Sequence, residues 1–172
     1  MFKGDNVMLR SIFGKKDKRT VEQLVAPLSG NIIELEHVPD PVFSQKLMGE
    51  GIAIEPTEGK LVAPIDGHVI QVFHTKHAIG LRSEIGIELL IHVGLETVGL
   101  NGNGFDVIVK EGQKVKAGDP LMTFDLKLIK EKAASTISPI IITNSDIVAR
   151  IERLEVESVI KGSTHIVNVH TK

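Results

Sequence analysis

The nine residues Val25-Ala-Pro-Leu-Ser-Gly-Asn-Ile-Ile33 recur, with substitutions, 37 positions later as Val62-Ala-Pro-Ile-Asp-Gly-His-Val-Ile70. Each copy has a proline near its start, a glycine turn, and then an apolar run of the kind that forms β-strands. We interpret the repeat as a duplicated β-hairpin unit that packs against its twin. The repeat therefore predicts a structural duplication and not a catalytic motif.

From residue 21 to residue 172, the sequence has the pattern of short apolar runs and turns that is typical of an all-β domain. Short runs rich in Val, Ile and Phe alternate with turn signals such as Asp66-Gly67, Asn101-Gly-Asn-Gly104 and Ala117-Gly-Asp-Pro120. A chain of 172 residues with 42% hydrophobic residues is long enough for one domain with a real core. We predict a single antiparallel β-sandwich over residues 21–172, with a few short helices.

Helix signals are confined to two places. Asp125 is placed to cap a short helix over residues 126–133. Asn144 or Ser145 is placed to cap another near residues 146–153.

Composition excludes several classes of function. The chain has no cysteine, so it has neither a disulfide framework nor a thiolate nucleophile. No apolar stretch reaches the roughly 18 residues needed to cross a bilayer, and no signal peptide is recognisable. The simplest expectation is a cytoplasmic protein.

Charge is unevenly distributed along the sequence. Residues 1–20 hold six basic and two acidic residues, a net charge of +4, so the remainder carries −6 of the total of −2. An acidic body without Trp or Tyr argues against nucleic-acid binding. We predict that residues 1–20 form a flexible basic tail that makes at most a peripheral contact with an anionic membrane surface.

One strand-like run carries a histidine on the side away from its most apolar face. In Ile87-Glu-Leu-Leu-Ile-His-Val-Gly94, a period of two puts Leu89, Ile91 and Val93 on one face. His92 falls on the opposite face.

A second run offers another histidine in a similar setting. In Val72-Phe-His-Thr-Lys-His-Ala78, the same counting puts Phe73, Thr75 and His77 on one face of a strand. Two imidazoles with a nearby hydroxyl can hold a metal, move a proton or carry a phosphoryl group. Alternatively, each histidine is a half-buried side chain with its hydrogen bonds made and no functional role. Both interpretations stay open at this point.

The other histidines are interpreted as solvated: His37, His68, His74, His165 and His170. The sequence has no His-x-His motif, and catalytic zinc usually has three protein ligands, so a zinc peptidase is disfavoured.

From about Val25 to the C-terminus, the sequence resembles the glucose-type enzyme IIA of the bacterial phosphoenolpyruvate-dependent sugar phosphotransferase system. The matching stretches follow one another along nearly the whole domain: Ala26-Pro-Leu-Ser-Gly30, Val38-Pro-Asp-Pro-Val-Phe43, Gly49-Glu-Gly-Ile-Ala-Ile54, Ala63-Pro-Ile-Asp-Gly67, Thr75-Lys-His-Ala78, Leu89-Leu-Ile-His-Val-Gly-Leu-Glu-Thr97, Gly102-Asn-Gly-Phe105 and Ser138-Pro-Ile-Ile-Ile-Thr143.

The resemblance implies a histidine phosphocarrier, a phosphotransferase component that requires no cofactor. His92 would be the phosphorylated residue, His77 would assist the transfer, and Thr75 would orient His77. The donor would be the small carrier HPr, and the acceptor a IIB domain of a IIBC sugar permease, whose acceptor residue is a cysteine in glucose-type systems. Because this chain has no cysteine, that acceptor must lie on another polypeptide.

The chemistry of the residues adds detail to this expectation. A reactive, bare Nε2 on His92 requires the proton on Nδ1, and the carbonyl of Gly94 is the obvious acceptor for it. His77 can then donate to phosphoryl oxygens as charge develops on them. In relatives from enteric bacteria, the paired histidines can hold zinc at a partner interface. The alternative function is therefore a regulatory or zinc-bridged protein-binding module that uses the same two residues, with zinc at His77 and His92.

A partner-binding rim is predicted around the two histidines. Its apolar members would be Val42, Phe43, Leu47, Met48, Phe73 and Leu90, for which plain core packing is the alternative. Asp40 and Glu96 match family positions around this rim and are expected to meet basic groups on HPr.

Overall fold

The computed structural model describes residues 19–172, which are built almost entirely from β-strands. The strands are β1 (Val21–Val25), β2 (Gly30–Glu34), β3 (Glu50–Pro56), β4 (Lys60–Val62), β5 (Gly67–Val72), β6 (Ala78–Ser83), β7 (Glu88–His92), β8 (Phe105–Val107), β9 (Lys114–Val115), β10 (Pro120–Phe124), β11 (Ser138–Ile142), β12 (Val148–Arg153), β13 (Ser158–Val159) and β14 (His165–Thr171). The α-helices are α1 (Pro41–Ser44) and α2 (Leu126–Lys132), and 3₁₀ turns lie at Leu35–His37, Thr97–Leu100 and Ser145–Ile147. Most of the predicted basic tail, residues 1–18, lies outside the described residues.

The described strands form one large sheet and two small ones. The large sheet has the order β13-β2-β3-β11-β7-β6-β5-β9, and the small sheets have the orders β1-β14-β12 and β4-β10-β8. Every strand pairing within residues 19–172 is antiparallel. The predicted all-β, antiparallel fold class is confirmed. The large sheet ends on both sides in a strand of only two residues, β13 and β9.

The sequence repeat forms two equivalent corners that pair with each other. The amide of Val25 donates to the carbonyl of Pro64 at 3.0 Å, and the amide of Val62 donates to the carbonyl of Pro27 at 2.9 Å. Each corner takes the chain from a small sheet into the large one, where the antiparallel pairs β2–β3 and β5–β6 occupy mirrored places. The duplicated units therefore pack against each other, and the repeated sequence itself is the entry to each pair.

Two apolar clusters lie on the opposite faces of the large sheet. The main core takes side chains from all three sheets, and it receives Leu89, Ile91 and Val93 on the face predicted by strand periodicity. A smaller cluster, which we call the outer cluster, lies on the other face and consists of Leu35, Val38, Phe43, Ala53, Ala78, Leu90, Leu95 and Ile141. The segment 35–44 therefore covers the outer face of the sheet and leaves His92 at the border of this cover.

One of the two predicted helices is present and the other is wrong. Asp125 caps α2 by accepting a hydrogen bond from the amide of Leu128 at 3.0 Å. Residues 148–153, however, form β12 after a 3₁₀ turn. Asn144 does not cap that turn, because its side chain accepts from the amide of Glu88 and donates to the carbonyl of Gly86, both at 2.8 Å. The amide side chain is thus used to hold the β6–β7 connection.

The run from residue 72 to residue 78 is not a continuous strand, contrary to prediction. β5 ends at Val72, and residues 73–77 form the turn that leads to β6. Within it, the amide of Lys76 donates to the carbonyl of Phe73 at 2.8 Å, and Lys76 has a left-handed backbone with φ of +65°. A left-handed residue interrupts the alternation of a strand, so counting by periods of two does not apply here.

Candidate functional site

His92 is the last residue of β7, one of the two central strands of the large sheet. It pairs with Ala78 of β6, and its ring lies edge-on to Phe43, with ring centroids 5.1 Å apart. Its Nδ1 is 2.7 Å from the carbonyl oxygen of Gly94. Because a carbonyl oxygen only accepts hydrogen bonds, Nδ1 carries the proton, and the lone pair of Nε2 is left free in the neutral ring.

His77 reaches the same place from the turn that precedes β6. Its side chain is buried, and its Nδ1 lies 2.8 Å from Oγ1 of Thr75. Its carbonyl accepts a hydrogen bond from the amide of Val93 at 2.8 Å, which ties the turn to the end of β7. The rings of His77 and His92 are edge-on, with centroids 4.7 Å apart and planes at 77°. The structure thus brings together both histidines and Thr75.

The surroundings keep both imidazoles neutral. Burial, and to a lesser extent the neighbouring His92, lower the pKa of His77 from 6.5 to about 4, although the backbone of Thr75 acts in the opposite direction. Burial also lowers the pKa of His92, opposed by the carbonyl of Gly94 and the carboxylate of Asp40. At pH 7, the ring of His92 is therefore neutral, and the lone pair of its Nε2 can act as a nucleophile.

The pair of histidines opens into a shallow depression of about 320 Å³. Its lining is mostly apolar and includes two carboxylates: Asp40, Val42, Phe43, Met48, Phe73, His77, Leu90, His92, Glu96 and Val98.

A family model described as phosphoenolpyruvate-dependent sugar phosphotransferase system, EIIA 1, matches residues 22–148. The chain belongs to this EIIA family. The resemblance inferred from the sequence is confirmed, and the chain is a component of the phosphotransferase system.

Individual relatives agree with this assignment along most of the EIIA chain. It is 53% identical over 165 residues to the PTS system glucose-specific EIIA component of Bacillus cereus, covering 96% of this chain and 100% of that protein. It is 52% identical over 163 residues to the protein of the same name from Staphylococcus epidermidis, covering 94% and 98%. Among solved structures, the glucose permease IIA from Mycoplasma capricolum matches with a TM-score of 0.82 at 39% identity, covering 87% of this chain and 96% of that one.

The predicted apolar rim of the EIIA site divides into buried and exposed members. Phe43 and Leu90 are buried in the outer cluster, so for them the core alternative applies as well. Val42 and Met48 are exposed at the mouth of the depression. Sequence reasoning missed Val98, which also lines the depression and is 54% exposed. The only sequence signal for Val98 was its place just after the stretch that resembles the family.

The two predicted acidic residues of the rim are both at the depression, whereas Leu47 is not. Asp40 is held in place because its Oδ1 accepts a hydrogen bond from the amide of Val42 and so caps α1. Glu96 has a left-handed backbone with φ of +58° at the start of the 3₁₀ turn that carries Val98. Leu47 is 69% exposed but does not line the depression.

The residues that hold the Gly94 turn were also missed. Gly94 has φ of +72°, and its amide donates to Oγ of Ser138 on β11 at 3.0 Å. Thr97 donates from its hydroxyl to the carbonyl of Val93 at 2.6 Å. Ser138 and Thr97 are both fully buried. Both lie in stretches that resemble the family, but nothing in those stretches indicated that they contact the Gly94 turn.

Metal binding at the EIIA site stays a prediction. Within residues 19–172, no group of three or more His, Cys, Asp or Glu side chains is arranged to hold a metal ion. His77 and His92 would supply only two ligands, and zinc sites usually have three or four protein ligands.

The remaining histidines lie outside the depression. His37, His74 and His165 are exposed as expected, whereas His68 and His170 are partly buried. Nε2 of His170 lies 3.3 Å from a carboxylate oxygen of Glu152. Over the part of the chain that the structure describes, no helix is long and apolar enough to span a membrane.

Proposed function

We propose that this EIIA protein is a cytoplasmic phosphocarrier of a glucose-type system. It takes a phosphoryl group from phospho-HPr onto Nε2 of His92 and passes it to the IIB domain of a sugar permease. The hydrogen bond from Nδ1 of His92 to the carbonyl of Gly94 supports this proposal most directly, because it leaves Nε2 as the only nucleophilic nitrogen. The names of the relatives, which are glucose-specific EIIA components, support the substrate class.

The transfer requires no proton to move. The lone pair of Nε2 forms the new N–P bond, and the N–P bond to the donor histidine breaks with its electron pair returning to the donor ring. His92 keeps its Nδ1 proton and becomes a phosphorylated imidazolium. Its hydrogen bond to the carbonyl of Gly94 is then charge-assisted and stronger. In the next step a neutral imidazole leaves, so the group keeps a high transfer potential.

His77 is the assistant in this proposal. If the hydroxyl of Thr75 donates to Nδ1 of His77, the ring carries its proton on Nε2 and can donate to a phosphoryl oxygen. The approach of a phosphoryl dianion also raises the pKa of His77, because a nearby negative charge favours the protonated form. The ring is thus neutral while the site is empty and becomes a stronger donor when the group arrives.

In this proposal, the rim of the depression is the surface that binds both partners. Val42, Met48 and Val98 present exposed apolar surface beside the histidines, and Asp40 and Glu96 add negative charge. A surface of this kind fits partners that carry an apolar patch with basic residues at its border, and it serves HPr and IIB in turn. Basic residues of a partner would also compensate the negative charge of the phosphoryl group in transit.

Phosphate uptake is the test of the proposed function. The chain is incubated with phosphoenolpyruvate, enzyme I and HPr, and its intact mass is measured. We expect the acid-labile gain of one phosphate, and no gain after the change His92→Ala. A wild-type chain that gains no phosphate contradicts the proposal.

Zinc binding by the same pair of histidines is the second candidate. Metal ligation needs an unprotonated nitrogen, and the lowered pKa values of His77 and His92 supply this at neutral pH. A third ligand would come from a partner protein. Isothermal titration with zinc, with and without His77→Gln, tests this candidate separately, since it does not require phosphate transfer.

A further inference from the structure

The turn after His92 is held through two successive peptide units, each with a partner at both ends. In the unit between Val93 and Gly94, the carbonyl accepts from the hydroxyl of Thr97 at 2.6 Å, and the amide donates to Oγ of Ser138 at 3.0 Å. In the unit between Gly94 and Leu95, the amide donates to the carbonyl of Ser135 at 2.9 Å. The carbonyl of that second unit accepts from Nδ1 of His92 at 2.7 Å.

Ser138 contributes a hydroxyl whose direction is fixed. Its Oγ donates its single proton to the carbonyl of Thr136 at 2.9 Å, which leaves the oxygen lone pairs for the amide of Gly94. Ser138 is the first residue of β11 and is fully buried, so water cannot replace this acceptor. Glycine also adopts either sign of φ easily, and a peptide plane beside it rotates unless it is tied.

We propose that Ser138 is a positioning residue that sets the tautomer of His92. It orients the first peptide plane at Gly94, and this plane in turn fixes the direction of the carbonyl that holds the proton on Nδ1. Ser138 touches neither the imidazole nor the phosphoryl group. Without the hydroxyl of Ser138, the amide of Gly94 has no acceptor and the turn relaxes. A fraction of the molecules then carries the His92 proton on Nε2, the nitrogen that must be unprotonated for the transfer. This inference rests on the proposed phosphocarrier function and deepens it.

The chain contains a matched control for this idea. Ser83, at the end of β6, is also a buried serine, and its Oγ also accepts from a backbone amide at 3.0 Å, that of Ile87. It lies five residues along the strand from Ala78, the partner of His92, which is about 17 Å at 3.4 Å per residue. Ser83→Ala and Ser138→Ala therefore both remove a buried hydroxyl that accepts from a backbone amide, the first far from the site and the second next to it; Ser138→Ala also removes the hydrogen bond to the carbonyl of Thr136.

The first measurement is nitrogen-15 NMR of the histidine side chains in the unphosphorylated protein. The wild type and Ser83→Ala are expected to show His92 protonated on Nδ1 only. Ser138→Ala is expected to show partial protonation of Nε2. An unchanged pattern in Ser138→Ala overturns the proposal. This measurement is independent of phosphate transfer, so it still decides the matter if the wild-type chain takes up no phosphate.

The second measurement is the rate of phosphate uptake from phospho-HPr, below the thermal transition of every variant. At metal sites, loss of a group that orients a ligating imidazole typically lowers affinity or activity about 10- to 100-fold, and we expect a decrease in rate of this size for Ser138→Ala. Ser83→Ala should keep the wild-type rate. Equal rates for the two variants contradict the proposal. If Ser138→Ala does not fold, Thr97→Val removes the other side-chain hydroxyl that holds the same peptide plane, and the same two measurements apply to it with the same expected changes.

Discussion

Replacing Gly94 with alanine measures how tightly the turn beside His92 is built. A Cβ on Gly94 would lie 2.7 Å from Cγ2 of Thr97 and 3.0 Å from the carbonyl oxygen of Ser135, and the backbone has φ of +72°. A left-handed backbone costs a residue other than glycine about 1–2 kcal/mol. Overpacking a filled site costs about 1–3 kcal/mol more. Together these terms predict that Gly94→Ala loses roughly 2–5 kcal/mol of unfolding free energy.

Two other glycines separate the backbone term from the steric term. Gly112 has φ of +88° but nothing within 4 Å of an added Cβ, so Gly112→Ala carries the backbone term alone. Gly99 lies in the same loop as Gly94, has nothing within 4 Å, and has no left-handed φ. Gly99→Ala is therefore expected to be neutral or stabilising by about 0.4–1 kcal/mol.

Thermal unfolding followed by circular dichroism ranks the three variants. A protein of this size shifts its Tm by about 2–4 °C per kcal/mol, so Gly94→Ala should melt roughly 4–20 °C below the wild type. Gly112→Ala should melt about 2–8 °C below it, and Gly99→Ala near or above it. The reasoning is refuted if Gly94→Ala melts no lower than Gly112→Ala. Phosphate uptake at a temperature where all variants are folded should be impaired in Gly94→Ala alone.

Three further predictions concern the histidines and the β6–β7 connection. His92→Ala should take up no phosphate, whereas His77→Gln should load from HPr but pass the group to IIB slowly, by roughly two to three orders of magnitude for one lost donor; the opposite pattern would exchange their roles. Because the pKa of His77 falls from 6.5 to about 4 on folding, the unfolded chain binds a proton that the folded chain does not as the pH drops through this range. The unfolding free energy should therefore fall by up to about 3 kcal/mol between those pH values, and His77→Gln should flatten this slope; parallel slopes for the two proteins would contradict the burial effect. Asn144→Ala leaves the amide of Glu88 and the carbonyl of Gly86 without this partner and should lose about 1–3 kcal/mol in urea unfolding; an unchanged midpoint would show that water replaces the side chain.

The fold was predictable where the sequence is locally consistent. The alternation in β7 placed Leu89 in the main core and His92 on the other face, because successive side chains of a strand point to opposite faces of the sheet. The turn at residues 73–77 was not predictable in this way. Its decisive residue is Lys76, which is left-handed, and a lysine gives no sign of such a backbone in the sequence. β12 was mistaken for a helix because its supposed cap, Asn144, serves a different loop.

The residues at the centre of the candidate site were predictable from the sequence, whereas the residues that hold them in place were not. The family resemblance and the carbonyl chemistry pointed to His92, His77 and Gly94 from the sequence. Ser138 was missed because it lies more than forty positions from Gly94 and meets it only through the pairing of β11 with β7. The register between two strands that are far apart in the sequence depends on the whole sheet. A local sequence pattern therefore does not indicate that a serine of one strand contacts the turn after the other.

The short outer strands of the large sheet limit how anything else can attach to it. β9 and β13 have two residues each, so an approaching extended peptide finds few free backbone groups with which to continue the ladder. Association by added strand, which is held by a row of main-chain hydrogen bonds, therefore has little to build on at this sheet. In the proposed function, partners therefore dock on side chains around the depression and do not add a strand to this sheet. A carrier that serves two molecules in succession gains from such a surface, because the first must let go before the second can dock.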